Sequence, residues 1–204
     1  MLMYFVRHAE SEGNATGNYA TEQSGVLSKR GMQQARDLAS SLQTFSFNQI
    51  VVSPLSRALQ TAVPYLQATG QRAVIWPELA EFGLIPQRAK VADSWSSRPF
   101  HDPIGLPDLF NFYEDKAIMP IEGEPEESAR RRVEVVKERL LALPDELETI
   151  LVITHGHFLR NLFLCMLGMD DIVSVSHINC AMSCIRSNKG GFCLEFSNRP
   201  MTCK

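Results

Sequence analysis

Short apolar runs alternate with amphipathic segments along most of the chain, and the two patterns predict different elements. Six runs have the length and composition of β-strands: residues 1–6, 49–52, 73–76, 149–154, 181–186 and 192–196. The run TILVIT at 149–154 is apolar on both faces, which is typical of a strand buried in a parallel sheet. Because strands alternate with helices, we predict an α/β fold, a three-layer sandwich whose largely parallel central sheet carries helices on both faces.

Segments between these runs carry apolar residues at the spacing of helices that bury one face. A helix after Ser28 is predicted to bury one stripe of side chains: Met32, Ala35, Ala39 and Leu42. Ser53 is expected to cap the next helix, with Pro54 in its first position. A third, very apolar helix from residue 157 is expected to end at Gly168.

One further helix, near residue 130, combines an apolar stripe with a strongly charged face. Its stripe is Ala129, Val133, Val136 and Leu140. Each glutamate of the pair at 126–127 precedes an arginine by four residues, the spacing of ion pairs on a helix surface. We therefore expect the three arginines at 130–132 to lie on a solvated face rather than to form a basic binding patch.

The stretch 82–120 interrupts this alternation with prolines and aromatic side chains: Pro86, Trp95, Pro99, Phe100, Pro103, Pro107, Phe110, Phe112, Tyr113 and Pro120. Aromatic side chains are rare in disordered linkers, so we expect this stretch to be ordered. We predict a single domain over residues 1–204, with this stretch as an insertion over one end of the sheet.

Composition narrows the classes of protein that fit. The 204 residues are 45% hydrophobic and 21% charged, with a net charge of −3, so neither nucleic acid nor an anionic membrane is an expected partner. No apolar run approaches the roughly 18 residues of a membrane span, and the apolar start is too short for a secretory signal. The five cysteines lack metal-site spacing, so we expect reduced thiols, no bound metal and a cytoplasmic location.

Cationic and imidazole side chains follow three of the predicted strands. Arg7 and His8 end the first run, Arg57 lies on the helix after the second, and His155 follows TILVIT. In open α/β sheets, ligands bind beyond the carboxyl ends of the strands, so these residues are expected to meet at one edge.

These residue types suit a phosphoryl group. Two guanidinium groups can form paired hydrogen bonds with phosphoryl oxygens. A histidine among such cations should be neutral near pH 7, because its protonated form is repelled, and a neutral ring nitrogen can attack phosphorus.

The segments that carry these residues form an ordered set. They read VRHAESEGN, LSKRGMQQA, SPLSRALQTA, EGEPEESARRRV and ITHGHFLRNL. Together they resemble the motifs of the histidine phosphatase superfamily, which includes the cofactor-dependent phosphoglycerate mutases. The matching residues are Arg7, His8, Ser11, Asn14, Leu27, Ser28, Gly31, Gln34, Ala35, Ser53, Arg57, Thr61, Ala62, His155 and Gly156. Ala9 stands where the motif usually has glycine.

The resemblance implies a phosphoglycerate-mutase-like fold and a role for each matched residue. His8 would become phosphohistidine, and phosphoryl oxygens would be held by Arg7, Asn14, Arg57 and His155. Glu81, two residues after a leucine, matches the spacing of the family's proton donor, whereas Glu78 does not. A bound dianion nearby would favour the protonated form of that glutamate.

For the substrate pocket, the candidates are Ser11, Arg88 and His101, and the 82–120 insertion would cap the substrate. His157 and His177 are interpreted as packing or polar lining. The predicted activity is that of a histidine-acid-phosphatase-type phosphomonoester hydrolase without a cofactor, acting on a small phosphorylated substrate. The oligomeric state is left open, a homodimer included.

Two alternatives stay open at this point. A phosphoglycerate-type mutase would return the phosphoryl group to a sugar acid instead of water, although the insertion has no paired arginines for a substrate carboxylate. A catalytically silent phospho-ligand-binding scaffold would be expected to lack a core residue, and none of those named above is lacking.

Overall fold

A seven-stranded sheet forms the centre of the molecule. The computed structural model describes residues 1–19, 25–82, 105, 107–112, 124–144, 146–170, 175–188 and 191–201. The strands are β1 (Leu2–Arg7), β2 (Gln49–Val52), β3 (Ala73–Ile75), β4 (Phe110–Phe112), β5 (Thr149–Thr154), β6 (Ala181–Asn188) and β7 (Gly191–Pro200). They are ordered β4-β3-β2-β5-β1-β6-β7. The first five in that order are parallel, and β6 and β7 are antiparallel to their neighbours.

Five α-helices are found in the described part of the chain: α1 (Glu12–Thr16), α2 (Lys29–Leu42), α3 (Ser56–Thr69), α4 (Glu126–Leu141) and α5 (Gly156–Leu167). Short 3₁₀ turns lie at Pro77–Leu79 and Pro107–Leu109. None of the helices in these ranges has the length and apolar character needed to cross a membrane.

The helices form two layers, one on each face of the sheet. Leu151 and Ile153 of β5 pack in the same cluster as α2 and α3. The alternate residues Ile150 and Val152 pack with α4 and α5 on the other face. TILVIT is therefore buried on both faces, and the predicted three-layer α/β sandwich is confirmed.

All six predicted strands are present, and β4 is a seventh that the pattern did not predict. It lies inside the 82–120 stretch and pairs in parallel with β3, Ala73 opposite Phe110. At this point the insertion joins the sheet instead of lying over its end. Three residues are too few to show a strand pattern, and the rest of the insertion, with its expected capping role, lies mostly outside the described residues.

The helix predictions need three corrections. Ser28 caps α2 as predicted, and the predicted stripe residues Ala35, Ala39 and Leu42 are buried, but Met32 is 46% exposed and the neighbouring Gly31 takes its place in the stripe. Helix α3 starts at Ser56 with Leu55 as its N-cap residue, so Pro54 precedes the helix; the Ser53 hydroxyl lies 2.6 Å from His155 Nε2 and accepts only a long contact, 3.4 Å, from the Leu55 N–H. Gly168 ends α5 with a positive φ of 63°, as predicted.

The third correction concerns the arginines of α4. Arg130 forms the expected exposed pair with Glu126 at 2.9 Å. Arg132, in contrast, is fully buried and forms an ion pair with Glu124. It lies three residues after Ala129 and four before Val136, so it belongs to the buried stripe.

Candidate active site

The carboxyl ends of β1, β5 and β2 bring the predicted site residues together. Arg7, the last residue of β1, lies opposite Thr154, so His8 and His155 follow adjacent strand ends. The centroids of these two imidazole rings are 5.0 Å apart. Arg57, on the first turn of α3, reaches the same place from the end of β2.

His8 is held in one tautomer by its neighbours. The ring is 3% exposed, and Nδ1 lies 2.7 Å from the Ala9 carbonyl oxygen, to which it donates. In a neutral imidazole the other nitrogen, Nε2, then has a free electron pair. The Arg57 Nε–H donates to this nitrogen at 3.2 Å.

Both histidines are neutral near pH 7. Burial lowers the pKa of His8 well below its ordinary value, and the positive charges of Arg57 and Arg7 lower it further. Burial does the same to the pKa of His155, with Arg57, His8 and Arg7 adding to it. Desolvation and repulsion both disfavour a protonated ring here.

The Arg7 side chain packs against the start of α5 at Gly156. Its NH1 donates to the carbonyl oxygen of His177 at 2.7 Å, while its buried Nε has no hydrogen-bond partner in the described structure. A Cβ on Gly156 would lie 3.2 Å from that Nε. Glycine at this position therefore allows the guanidinium to pack against the helix.

His155 is fully buried as the N-cap residue of α5. Its Nε2 lies 2.6 Å from the hydroxyl oxygen of Ser53, which follows β2. Its Nδ1 is buried without a hydrogen-bond partner among the described residues. Buried polar atoms are nearly always paired, so the unpartnered atoms of Arg7 and His155 indicate where a polar ligand would bind.

The Glu81 carboxylate lies at the N-terminus of α5. Its Oε1 accepts from the Phe158 backbone N–H at 2.9 Å, and its Oε2 accepts from the His157 N–H at 3.3 Å. Its negative charge acts on both Arg7 and Arg57, which places it beside the cationic pair. The rival Glu78 is fully buried and paired with Arg139 at 2.9 Å.

Asn14 is oriented by a network that the sequence did not reveal. Its Oδ1 accepts from the Ser11 N–H at 3.2 Å and from Asn179 Nδ2 at 3.3 Å, so its own Nδ2 points away, toward the Tyr19 hydroxyl at 3.2 Å. Asn179 also donates to the His8 carbonyl oxygen at 2.8 Å. An isolated asparagine before β6 carried no signal of this role in the sequence.

The model of the histidine phosphatase superfamily (branch 1) matches residues 3–200. The chain belongs to this superfamily. It is 28% identical over 188 residues to the adenosylcobalamin/alpha-ribazole phosphatase of Salmonella typhi, covering 90% of this chain and 88% of that protein.

Of two further relatives, one is named as a mutase and the other as a phosphatase. A protein of Enterobacter sp. named "Probable phosphoglycerate mutase GpmB" is 29% identical over 169 residues, covering 83% of this chain and 76% of that protein. The crystal structure of the alpha-ribazole phosphatase from Shigella flexneri superposes with a TM-score of 0.73 at 26% identity, with 100% of each chain covered.

A close backbone contact joins the loop that carries His8 to α2. A Cβ on Gly31 would lie 1.9 Å from the Glu10 carbonyl oxygen, so only glycine fits there. The Ser28 N–H donates to the same oxygen at 3.0 Å, and the Ser28 hydroxyl donates to the Glu10 carboxylate at 2.8 Å. These contacts explain why LSKRG accompanies the histidine motif.

The remaining predicted residues are placed as follows. Ser11 is 1% exposed and its hydroxyl caps α1, so its role in a substrate pocket stays a prediction. Arg88 and His101 lie outside the described residues. The His157 ring packs on Phe82 with centroids 4.9 Å apart.

His177 is a buried neighbour of the site. Its ring meets Phe163 edge to face, and burial, with a contribution from Arg7, lowers its pKa to about 4.

Within the described ranges, no group of three His, Cys, Asp or Glu side chains is arranged to hold a metal ion. The thiols of Cys180 and Cys184 stay protonated, since burial raises their pKa values to about 12 and about 11.

Proposed function

We propose that this histidine phosphatase hydrolyses phosphomonoesters through a phosphohistidine at His8, without a metal ion. The observation that carries the proposal is the arrangement at His8, where the unprotonated Nε2 accepts from the Arg57 Nε–H at 3.2 Å, so a phosphoryl group that took over this donor would release the electron pair for attack. A phosphoryl group bound by that guanidinium would sit next to the nucleophile.

Binding would use the donors that the structure leaves available. Arg7 Nε and His155 Nδ1 are buried without partners among the described residues, and Asn14 Nδ2 donates one of its two hydrogens to the Tyr19 hydroxyl, so the other could serve a ligand. Phosphoryl oxygens would accept from these groups and from Arg57. Cationic donors that are already in place stabilise the charge that spreads over these oxygens in the transition state.

In the first step, Nε2 of His8 forms a bond to phosphorus while the bond from phosphorus to the ester oxygen breaks. Glu81, protonated when the dianion is bound, gives its proton to the leaving alcohol. The Glu81 carboxylate accepts from a backbone N–H in the first turn of α5, the helix that begins directly after His155. This closeness to the phosphoryl site supports the assignment.

In the second step, water attacks the phosphohistidine and the Glu81 carboxylate takes its proton. The N–P bond breaks, inorganic phosphate leaves, and His8 returns to its neutral form. Glu81 is again protonated, as the first step requires.

For the substrate, the named relatives support a small phosphomonoester. Relatives at 28–29% identity include proteins named adenosylcobalamin/alpha-ribazole phosphatase, so a nucleoside-like 5′-phosphate is the first candidate. The relatives named for phosphoglycerate mutase support a second candidate function, in which phosphohistidine returns its phosphoryl group to a sugar acid.

The test is phosphate release by wild type and His8→Ala in the presence of a chelator. The substrates are 3-phosphoglycerate, alpha-ribazole 5′-phosphate and a panel of phosphorylated metabolites. We expect wild type to release phosphate and His8→Ala to lose about 10⁴-fold or more. Phosphoryl exchange on phosphoglycerate without net release would support the mutase, and loss of activity with chelator would contradict metal independence.

A further inference from the structure

We propose that Arg132, which no part of the reaction above uses, is a positioning residue for the proton donor Glu81. The inference rests on the proposed function, since it assigns a task within that reaction. It concerns the buried cluster made by Arg132, Glu124 and the backbone segment 78–81.

Arg132 directs its donors at one short piece of backbone. NH1 donates to the carbonyl oxygens of Glu78 at 2.6 Å and Ala80 at 2.8 Å. NH2 also reaches the Glu81 carbonyl oxygen at 3.4 Å. A single planar guanidinium therefore fixes the turn that carries Glu81.

Glu124 holds the Arg132 guanidinium in place. Its two carboxylate oxygens accept from Arg132 Nε at 2.7 Å and NH2 at 2.5 Å, a paired contact with defined geometry. Ser128 donates to the same carboxylate at 3.2 Å. Arg132 and Glu124 are 0% and 7% exposed, so water does not compete for these contacts.

The same cluster contacts the helix that holds the Glu81 side chain. The guanidinium carbon of Arg132 lies 5.8 Å from the ring centroid of Phe158 and 6.0 Å from that of Phe82. The Phe158 N–H is a donor to the Glu81 carboxylate. Glu81 is thus held from both ends, its carbonyl by Arg132 and its carboxylate by α5.

Burying an ion pair is a costly way to join a helix to a turn. Apolar side chains of similar volume often do this with equal or greater stability. What apolar side chains cannot do is bind three carbonyl oxygens of one turn in a fixed geometry. This directional contact is the reason to assign Arg132 a positioning role.

The test is Arg132→Lys, which keeps the charge but loses the planar set of donors. Two probes are compared: glycerol 2-phosphate, whose alkoxide needs a proton to leave, and p-nitrophenyl phosphate, whose phenolate does not. We expect kcat for glycerol 2-phosphate to fall about 10- to 100-fold, and kcat for p-nitrophenyl phosphate to fall less than about threefold. The matched control, Arg130→Lys on the exposed face of α4, should change neither rate.

Equal losses on the two probes would overturn the inference, because a general disturbance of the fold slows both. Inactivity of wild type on both probes would instead contradict the proposed function. If Arg132→Lys does not fold, Glu124→Gln loosens the same guanidinium and should show a smaller loss, again confined to glycerol 2-phosphate. An unchanged ratio of the two rates in Glu124→Gln would then count against the inference.

Discussion

The positive charges of the half-buried Arg7 and Arg57 and of the fully buried Arg132 all act on His155, but the three arginines differ in how their donors are satisfied. Arg132 is saturated by Glu124 and by three backbone carbonyls. Arg7 keeps a buried Nε without a partner, and Arg57 donates to a histidine nitrogen, which is a weak substitute for an anion. From this difference we expect Arg132 to stabilise the fold, and Arg7 and Arg57 to serve ligand binding.

The largest expected effect comes from the matched pair Arg57→Met and Arg132→Met. Arg57→Met should lower kcat/KM about 10³-fold, because it removes a donor to the transition state, with little change in the free energy of unfolding. Arg132→Met should lower the free energy of unfolding by about 3–5 kcal/mol, because the Glu124 carboxylate is left buried and unpaired. Phosphate-release kinetics and urea unfolding measure the two effects.

The double variant Arg132→Met/Glu124→Leu is the control for that pair. Since both charges are removed together, much of the lost stability should return. If Arg57→Met destabilised the protein as much as Arg132→Met, the distinction between the two groups would be wrong.

An intermediate effect is expected on the pH dependence of stability. The pKa of His8 is lower in the folded protein than the unperturbed value of about 6.5, so below that pH the unfolded chain binds more protons than the native one. The free energy of unfolding should therefore fall as pH drops below about 6.5. In His8→Asn the fall should be shallower by up to about 1.4 kcal/mol per pH unit.

Urea unfolding of both proteins from pH 7.5 to pH 5.0 makes this comparison. Groups remote from His8 contribute to both curves and cancel in the difference, whereas His155, whose pKa is lowered in part by His8, adds a smaller change of its own. If the two curves ran parallel, the pKa of His8 would not be lowered in the folded protein, and the cationic environment described for it would be wrong.

The smallest expected effect comes from Gly156→Ala. The new methyl would lie 3.2–3.4 Å from Arg7 side-chain atoms and should shift the guanidinium by a few tenths of an ångström. We expect kcat/KM to fall about tenfold, since small displacements of a binding group are costly. Gly25→Ala, where a Cβ meets nothing within 4 Å, is the matched control and should leave the rate unchanged.

Much of this arrangement could be predicted from the sequence because it follows from local patterns. The period of the apolar residues located the strands, and the rule that ligands bind beyond the carboxyl ends of parallel strands then placed Arg7, His8, Arg57 and His155 at one edge. Ser28 was found because a helix cap needs only its own neighbours. Such features depend on residues that are adjacent in the chain.

What the sequence did not reveal depends on contacts between distant segments. Arg132 looked like its two exposed neighbours, although its place on the apolar stripe with Ala129 and Val136 could have marked it as buried. Asn179 and Ser53 acquire partners more than 100 residues away along the chain. β4 forms only because β3 offers it an edge.

The contact between His8 and the carbonyl of the next residue has an evolutionary consequence. The proton is held on Nδ1 of His8 by the backbone carbonyl oxygen of residue 9, and every amino acid has this backbone carbonyl. Exchanging glycine for the alanine found here therefore leaves the tautomer of the proposed nucleophile unchanged. Only small side chains share this freedom, because Ala9 is fully buried and a larger one would meet the core before it could leave the carbonyl in place.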